Sequence, residues 1–321
     1  MSHIATSHPS TPDTIYDVLR RSPVARVLAG MELGEGCAVT VWENTRDRVC
    51  YQAPAHTTFS LYLQGGTGTR RLDAGGVAGY PGAICVMPEG CGSDWEINAP
   101  FRFVHLYLSE ARLRSGFVST HDCDARSLDL PEATFVRNPD LAIPLARLAA
   151  AGADGDVLHA ETALAELFGA LRRKPVTIRA GLAPHILRRV DDWIDAHLDQ
   201  AITLDDLAAV ADLSGYHFHR MFHLSRGLAP HAWVTWKRIA RARILLRTDQ
   251  PIATIAAACG FSSQSHLTRV FQRHVGKTPA VYRGAVIGSA PKRPESEGQQ
   301  SASQGCPKDM PSQAKFEQSL T

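Results

Sequence analysis

The chain is 321 residues long, 44% hydrophobic and 21% charged, with a formal net charge of +2, a composition that suits a folded protein large enough for two cores. It contains no run of 18 apolar residues, which excludes a membrane-spanning helix of ordinary length. Seven cysteines, at 37, 50, 85, 91, 123, 259 and 306, form no CxxC pair. With an opening (MSHIATSHPSTPDT) that lacks the charged-then-apolar pattern of a secretory signal, they argue for reduced thiols and a cytoplasmic location.

Residues 1–14 read as a flexible polar lead. Residues 15–137 read as mainly β. GCAVTVWE (36–43), TTFSLYLQ (57–64), GAICVMPEG (82–90), SDWEI (93–97) and FRFVHLYL (101–108) are short, rich in β-branched and aromatic residues, and divided by Gly and Pro; such spacing predicts a sandwich or barrel. From 139 to 174 the period turns helical, with Leu141, Leu145 and Leu148 and then Leu158, Leu164, Leu167 and Phe168 on a stripe broken by AGADGD at 151–156. That stripe suits either a dimer contact or packing within the chain. Residues 182–286 read as helical throughout, and 287–321 as a disordered tail rich in Ser, Gln, Pro and Gly.

The helical C-terminal part contains a repeat. Arg220, Phe222, Gly227, Pro230 and Trp233 recur as Arg269, Phe271, Gly276, Pro279 and Tyr282, each 49 positions on, while Leu207 and Ala208 match Ile255 and Ala256 at 48; one residue is therefore inserted in the second turn. In the first copy Thr203 with Asp205 and Asp206 predicts a helix start, Leu213-Ser214-Gly215 a tight turn, and Gly227 a left-handed stop. Phe218, Met221 and Phe222 fall on one face of the second helix, leaving Tyr216, His219, Arg220 and His223 on the other with His217 at its flank. The second copy places Leu267, Val270 and Phe271 inward and Ser265, Arg269 and Gln272 outward, flanked by His266 and Thr268. Residues 231–248 predict one helix of about 18 residues, about 27 Å long. It would bury Trp233, Ile239, Ala242, Leu245 and Leu246 and leave Lys237, Arg238, Arg241 and Arg243 in water. Two helix–turn–helix units on such a strut can enter successive major grooves about 34 Å apart.

Charge follows the same division. Residues 1–181 hold 17 Lys/Arg against 20 Asp/Glu, a balance of −3, whereas 213–286 hold 11 Lys/Arg against the single acid Asp249, a balance of +10. Basic charge gathered on the repeat is the footprint of a polyanion binder. Arg220 and Arg269 occupy the same outward position in each copy, suited to two hydrogen bonds with guanine or to a phosphate contact.

Residues 204–283 resemble the DNA-binding region of the AraC/XylS family of bacterial transcription regulators. The motifs carrying the resemblance are LAAVADLS-x3-F-x-R-x-F (207–222), G-x2-P (227–230), R-I-x2-A-x2-LL (238–246), I-x2-IA-x3-GF-x5-L-x-R-x-F (252–271) and G-x-TP-x2-YR (276–283). The resemblance implies base reading through His217, His219 and Arg220 in the first copy and Ser265, His266 and Arg269 in the second; Tyr216, where the family carries a small or polar residue, would lie against the sugar–phosphate backbone. It also implies double-stranded promoter DNA and RNA polymerase as partners, and usually activation. The strand pattern of 57–108, with its PGAICVMPEG turn, resembles the cupin-like sensory barrel found upstream in many members, in which a small-molecule effector binds inside. Tyr62, Trp95 and His105 on those strands suit a pocket wall, or an ordinary core. Residues 138–180 resemble the helices that join relatives into homodimers.

The expected fold is thus α+β with two domains: a cupin-like barrel at 15–137, linking helices at 138–180 and a tandem helix–turn–helix domain at 181–286. Enzyme readings lack their chemistry. His56 has no neighbouring His and His105 is 49 residues away, so no metal cluster is expected, and neither is a cofactor. Cys85 and Cys91 are too few for a zinc site, and 15–137 shows no nucleophile elbow. The competing readings are a ligand-independent repressor or architectural protein, and a cupin-type enzyme carrying a DNA-binding module.

Overall fold

A computed structural model describes residues 13–75, 77–175 and 181–288. The expected polar lead and tail lie outside these residues, apart from 13–14 and 287–288. In chain order the elements are α1 (Ile15–Arg21), β1 (Arg26–Gly34), β2 (Cys37–Asn44), β3 (Asp47–Tyr51), β4 (Thr57–Gln64), β5 (Thr69–Arg71), β6 (Ile84–Met87), β7 (Ser93–Ile97), β8 (Phe101–Leu108), α2 (Glu110–His121), β9 (Leu128–Asp129), β10 (Ala133–Val136), α3 (Pro139–Asp154), α4 (Val157–Ala170), β11 (Arg172–Arg173), α5 (Pro184–Ala196), α6 (Leu204–Ala211), α7 (Gly215–Arg226), α8 (Pro230–Leu245), α9 (Ile252–Ala258), α10 (Gln264–Val275) and α11 (Pro279–Gly288).

The strands do not close into one barrel. They form a six-stranded antiparallel sheet in the order β1-β2-β8-β4-β6-β10 and a three-stranded sheet in the order β3-β7-β5, with β9 and β11 in a small ladder of their own. Alternation reveals which side chains share a face but not whether edge strands meet, and here the edges go elsewhere. β1 carries register shifts at Val27/Ala29 and Glu32/Gly34 and packs against α3 and α10.

Both faces of the large sheet are buried. On β8, Phe101, Phe103 and Tyr107 join the core shared with the small sheet, while Val104, Leu106 and Leu108 join the core shared with helices, the two-residue period of a strand. Burying a side chain of this size contributes about 1.5–3 kcal/mol, so each face holds the sheet firmly. α1, unforeseen within a region read as β, closes one end of the inter-sheet core with Ile15 and Leu19. Thr14 and Asp17 cap it reciprocally, the Thr14 hydroxyl accepting from the Asp17 amide at 3.1 Å and Asp17 accepting from the Thr14 amide at 3.1 Å. α2, also unforeseen, starts on Ser109.

The stripe on α3 and α4 packs within its own chain. Leu145, Leu148, Ala160, Leu164 and Leu167 are buried, with α3 on β1, β2, β4 and β8 and α4 on α2.

Two helix–turn–helix units, α6–α7 and α9–α10, flank α8 as the repeat predicts. Thr203 and Asp206 form a capping box on α6, Ser214 caps α7 and Ser263 caps α10. Gly227 (φ 72°) and Gly276 (φ 78°) end the two outer helices in the left-handed region. The inserted residue falls between Gly260 and Ser263. Asp212 (φ 57°) makes the first turn and Gly260 (φ 72°) the second, where a Cβ would collide with the Leu198 carbonyl. α8 spans 16 residues, about 24 Å.

Candidate nucleic-acid interface and inter-sheet cavity

The outward faces of α7 and α10 are built as the sequence suggests. Phe218, Met221 and Phe222 are buried under α7, and Leu267 and Phe271 under α10. Val270 is only half-buried. Tyr216, His217, His219 and Arg220 are exposed, Tyr216 to 80%. Ser265, Arg269 and Gln272 are exposed on α10 and, with Gln264, Thr268 and Arg273, line a shallow groove. His266 is more constrained: its Nδ1 lies 3.0 Å from the Ser262 hydroxyl and its ring packs edge-on against Phe261. Among the described residues neither Arg220 nor Arg269 forms an ion pair.

The strut differs from expectation. Lys237, Arg238 and Arg243 are not in open water. Lys237 pairs with Asp195 at 2.6 Å, Arg238 donates to the Leu198 carbonyl at 3.1 Å and to the Gln200 carbonyl at 2.5 Å, and Arg243 faces Glu161 at 3.5 Å. Arg226, also counted in the basic excess, is 3% exposed and ion-paired with Asp191. The free positive charge is therefore narrower than the composition suggests: among the described residues Arg220 on α7 and Arg269 and Arg273 on α10 have no acidic partner, and neither do Arg241, Arg247, Lys277 and Arg283 elsewhere in the segment.

Each copy is seated by an acid from outside the repeat, which local sequence patterns gave no means of finding. For the first, Asp191 on α5 binds Arg226 and accepts from Trp233 Nε1 at 2.7 Å, and the Arg226 guanidinium stacks 5.0 Å from the Trp233 ring centre. Burial pushes the Asp191 carboxyl up, against the pull of Arg226 and Lys237. For the second, Glu35 in the β1–β2 turn pairs with His274, faces Arg112 at 3.7 Å, and donates its backbone N–H to the Arg273 carbonyl at 3.2 Å. Burial would raise the Glu35 carboxyl, yet His274, Arg112 and Arg243 together hold it below its usual value. Glu161 on α4 accepts from the Tyr282 hydroxyl at 2.9 Å. A cavity of about 150 Å³ lies at this seam, lined among others by Arg112, Glu161, Phe168, Trp236 and Arg243.

A second candidate site lies between the two sheets. Tyr62, Trp95 and His105 come together there, lining a cavity of about 30 Å³ with Leu19, Asn44, Ser60, Thr69, Phe101 and Phe103 among others. Trp42 Nε1 donates to the Tyr107 hydroxyl at 2.9 Å, which lies 3.1 Å from His105 Nδ1. Burial pushes the His105 imidazole down to about 3, so it is neutral at pH 7.

The chain matches a family described as a helix-turn-helix domain over residues 207–285. It is 39% identical over 99 residues to the right origin-binding protein of Escherichia coli strain K12, covering 30% of this chain and 34% of that protein; the chain thus spans about a third of that relative's length. It is 33% identical over 99 residues to the regulatory protein SoxS of Salmonella typhimurium, covering 30% of this chain but 92% of SoxS. The solved DNA-binding domain of the transcriptional factor AdpA, in complex with a target DNA, matches at 35% identity over 33% of this chain and 97% of that one, with a TM-score of 0.32. With a near full-length match to SoxS lying on the two capped helix–turn–helix units, the chain belongs to the AraC/XylS family of transcription regulators.

Proposed function

We propose that this chain is a ligand-responsive, sequence-specific transcription regulator that places α7 and α10 in successive major grooves of promoter DNA. The observation that carries the reading is the pair Arg220 and Arg269, equivalent in the repeat, both exposed and without an ion pair among the described residues, while Arg226, Lys237 and Arg243 are committed to acids. Arginine in such a place can donate two hydrogen bonds to guanine O6 and N7. His217, His219, Ser265 and His266 add single contacts, and Tyr216 lies against the backbone.

Residues 181–286 act as the DNA-binding part and 138–180 as the link. Residues 15–137 form a cupin-like sensory part whose effector binds between the sheets, against Tyr62, Trp95 and His105. An effector that binds one arrangement of the helix–turn–helix units better than another shifts their balance, and contact with RNA polymerase turns occupancy into activation.

The test is selection from randomised duplexes followed by footprinting with the full chain. Two protected segments one helical turn apart support the reading. Failure to enrich any duplex at low salt would sink it.

A further inference from the structure

We propose that the inter-sheet cavity takes an uncharged, single-ring aromatic molecule bearing a hydrogen-bond acceptor, admitted by displacement of Leu19. This rests on the reading of that cavity as the effector site and goes on to name the class of molecule that fits it.

Charge is excluded by the wall. Its lining residues include no Asp, Glu, Lys or Arg, and each is at most 6% exposed. An ion placed there would lose its water and find no opposite charge. The aromatic class follows from Tyr51, Tyr62, Trp95, Phe101 and Phe103 in the wall. Phe101 and Phe103 stack at 4.6 Å, and Tyr62 lies 5.0 Å from Phe101, so a further ring would find the edges and faces that ring pairs prefer.

The acceptor follows from hydrogen-bond accounting. An indole N–H only donates, so the Tyr107 oxygen accepts from Trp42. With the Tyr107 hydroxyl donating to His105 Nδ1, the Trp42 and Tyr107 donors are both used within the chain. The neutral ring then carries its proton on Nε2, which has no partner among the described residues. Thr69 Oγ1, in the same wall, is buried beside the Tyr62 hydroxyl and among the described residues meets no acceptor in full hydrogen-bond geometry. The wall thus offers an N–H and a hydroxyl to a ligand oxygen, and a carbonyl or ether accepts both.

Size identifies the moving part. About 30 Å³ holds only two or three waters at roughly 10–15 Å³ each, whereas a cavity of about 150 Å³ is known to take benzene. Leu19 is the one wall residue not on a strand. It sits on α1, seven residues long, held by its N-terminal cap, by Ser22, whose hydroxyl donates to Asp47 at 2.6 Å, by buried Ile15 and by Tyr16, whose ring packs edge-on against Trp42 and Tyr107. Strands locked into two ladders cannot give way as cheaply.

The experiment is calorimetric titration of the full chain at pH 7.5 with acetophenone, ethylbenzene and benzoate: one ring with a neutral acceptor, with none, and with a charge. Acetophenone is expected to bind at least tenfold more tightly than ethylbenzene, and benzoate not at all. His105→Phe should erase most of that tenfold preference. Leu19→Ala should tighten acetophenone tenfold or more, and Leu19→Val by less, the second variant serving if the first does not fold. Benzoate that competes with acetophenone and is blocked by the cavity-filling Ser60→Leu would overturn the class and leave the site standing. Acetophenone bound equally by Ser60→Leu would overturn the site itself. Binding of none of the three rings to wild type or to either Leu19 variant would overturn the proposed class and entry route.

Discussion

The two helix–turn–helix copies share caps, glycine stops and outward arginines, yet they are seated by different parts of the chain. The first is clamped by α5 immediately before it, through Asp191, and its core runs on without a break into the helical face of the large sheet. The second has a core of its own, which takes in Val157 of α4, and is held at its last turn by the β1–β2 turn of the sheet domain through Glu35. An internal duplication therefore does not imply equivalent mechanics. Both helices are packed on apolar cores, but the first core runs on into the sheet domain, while the second meets it through the smaller seam of Val157 and Met31 with the polar contacts of Glu35, and that seam is the easier to release.

Removing the first clamp should have the largest effect. Asp191→Ala leaves Arg226 charged and unpaired in a site where it is 3% exposed, and should cost about 3–5 kcal/mol in urea unfolding, with loss of the first protected half-site. A cost under about 1 kcal/mol would show that packing alone seats α7. Next comes Gly34→Ala. Gly34 has φ 78°, and a Cβ there would collide with the His274 carbonyl. Strain of about 1–3 kcal/mol should appear as faster amide exchange in α10 while α7 stays protected. Equal loosening of both helices would erase the contrast.

Arg220→Ala and Arg269→Ala should each cost about 1–3 kcal/mol at the cognate duplex and relax base preference at one position. Uniform weakening on all sequences would reassign either one to phosphate. The smallest effect is expected from acid. Glu35 is held below its ordinary value of 4.5 in the folded chain, so its contribution is present above that value and is lost as pH falls through the depressed one. Amide protection in α10 should fall before that in α7 as pH drops below 4.5, and Glu35→Gln should remove the difference.

Much of this was legible in the sequence, for identifiable reasons. The recognition helices announced themselves because Phe218, Met221 and Phe222 repeat at helical spacing behind a serine cap, and again as Leu267, Val270 and Phe271. Tyr62, Trp95 and His105 converge because strand alternation puts like parity on one face. What stayed hidden depends on distance along the chain. Asp191 meets Arg226 and Trp233 across 35 and 42 positions, and Glu35 meets His274 across 239. The arginines of α8 read as solvated because their partners, the Leu198 and Gln200 carbonyls and Glu161, come from other elements. Barrel closure was over-read, since alternation says nothing about the path of an edge strand. The cap that starts α1 was readable at Thr14 and Asp17, but seven residues are too few for a periodic signal.

His105 and Leu106 are neighbours on β8, yet one lines the inter-sheet cavity and the other belongs to the core that continues under the first helix–turn–helix copy. The strand is a party wall, with no spare side to absorb change. Substitutions on one face will therefore tend to arrive together with compensating ones on the other, and under the proposed function chemical taste and transcriptional response evolve as a linked pair.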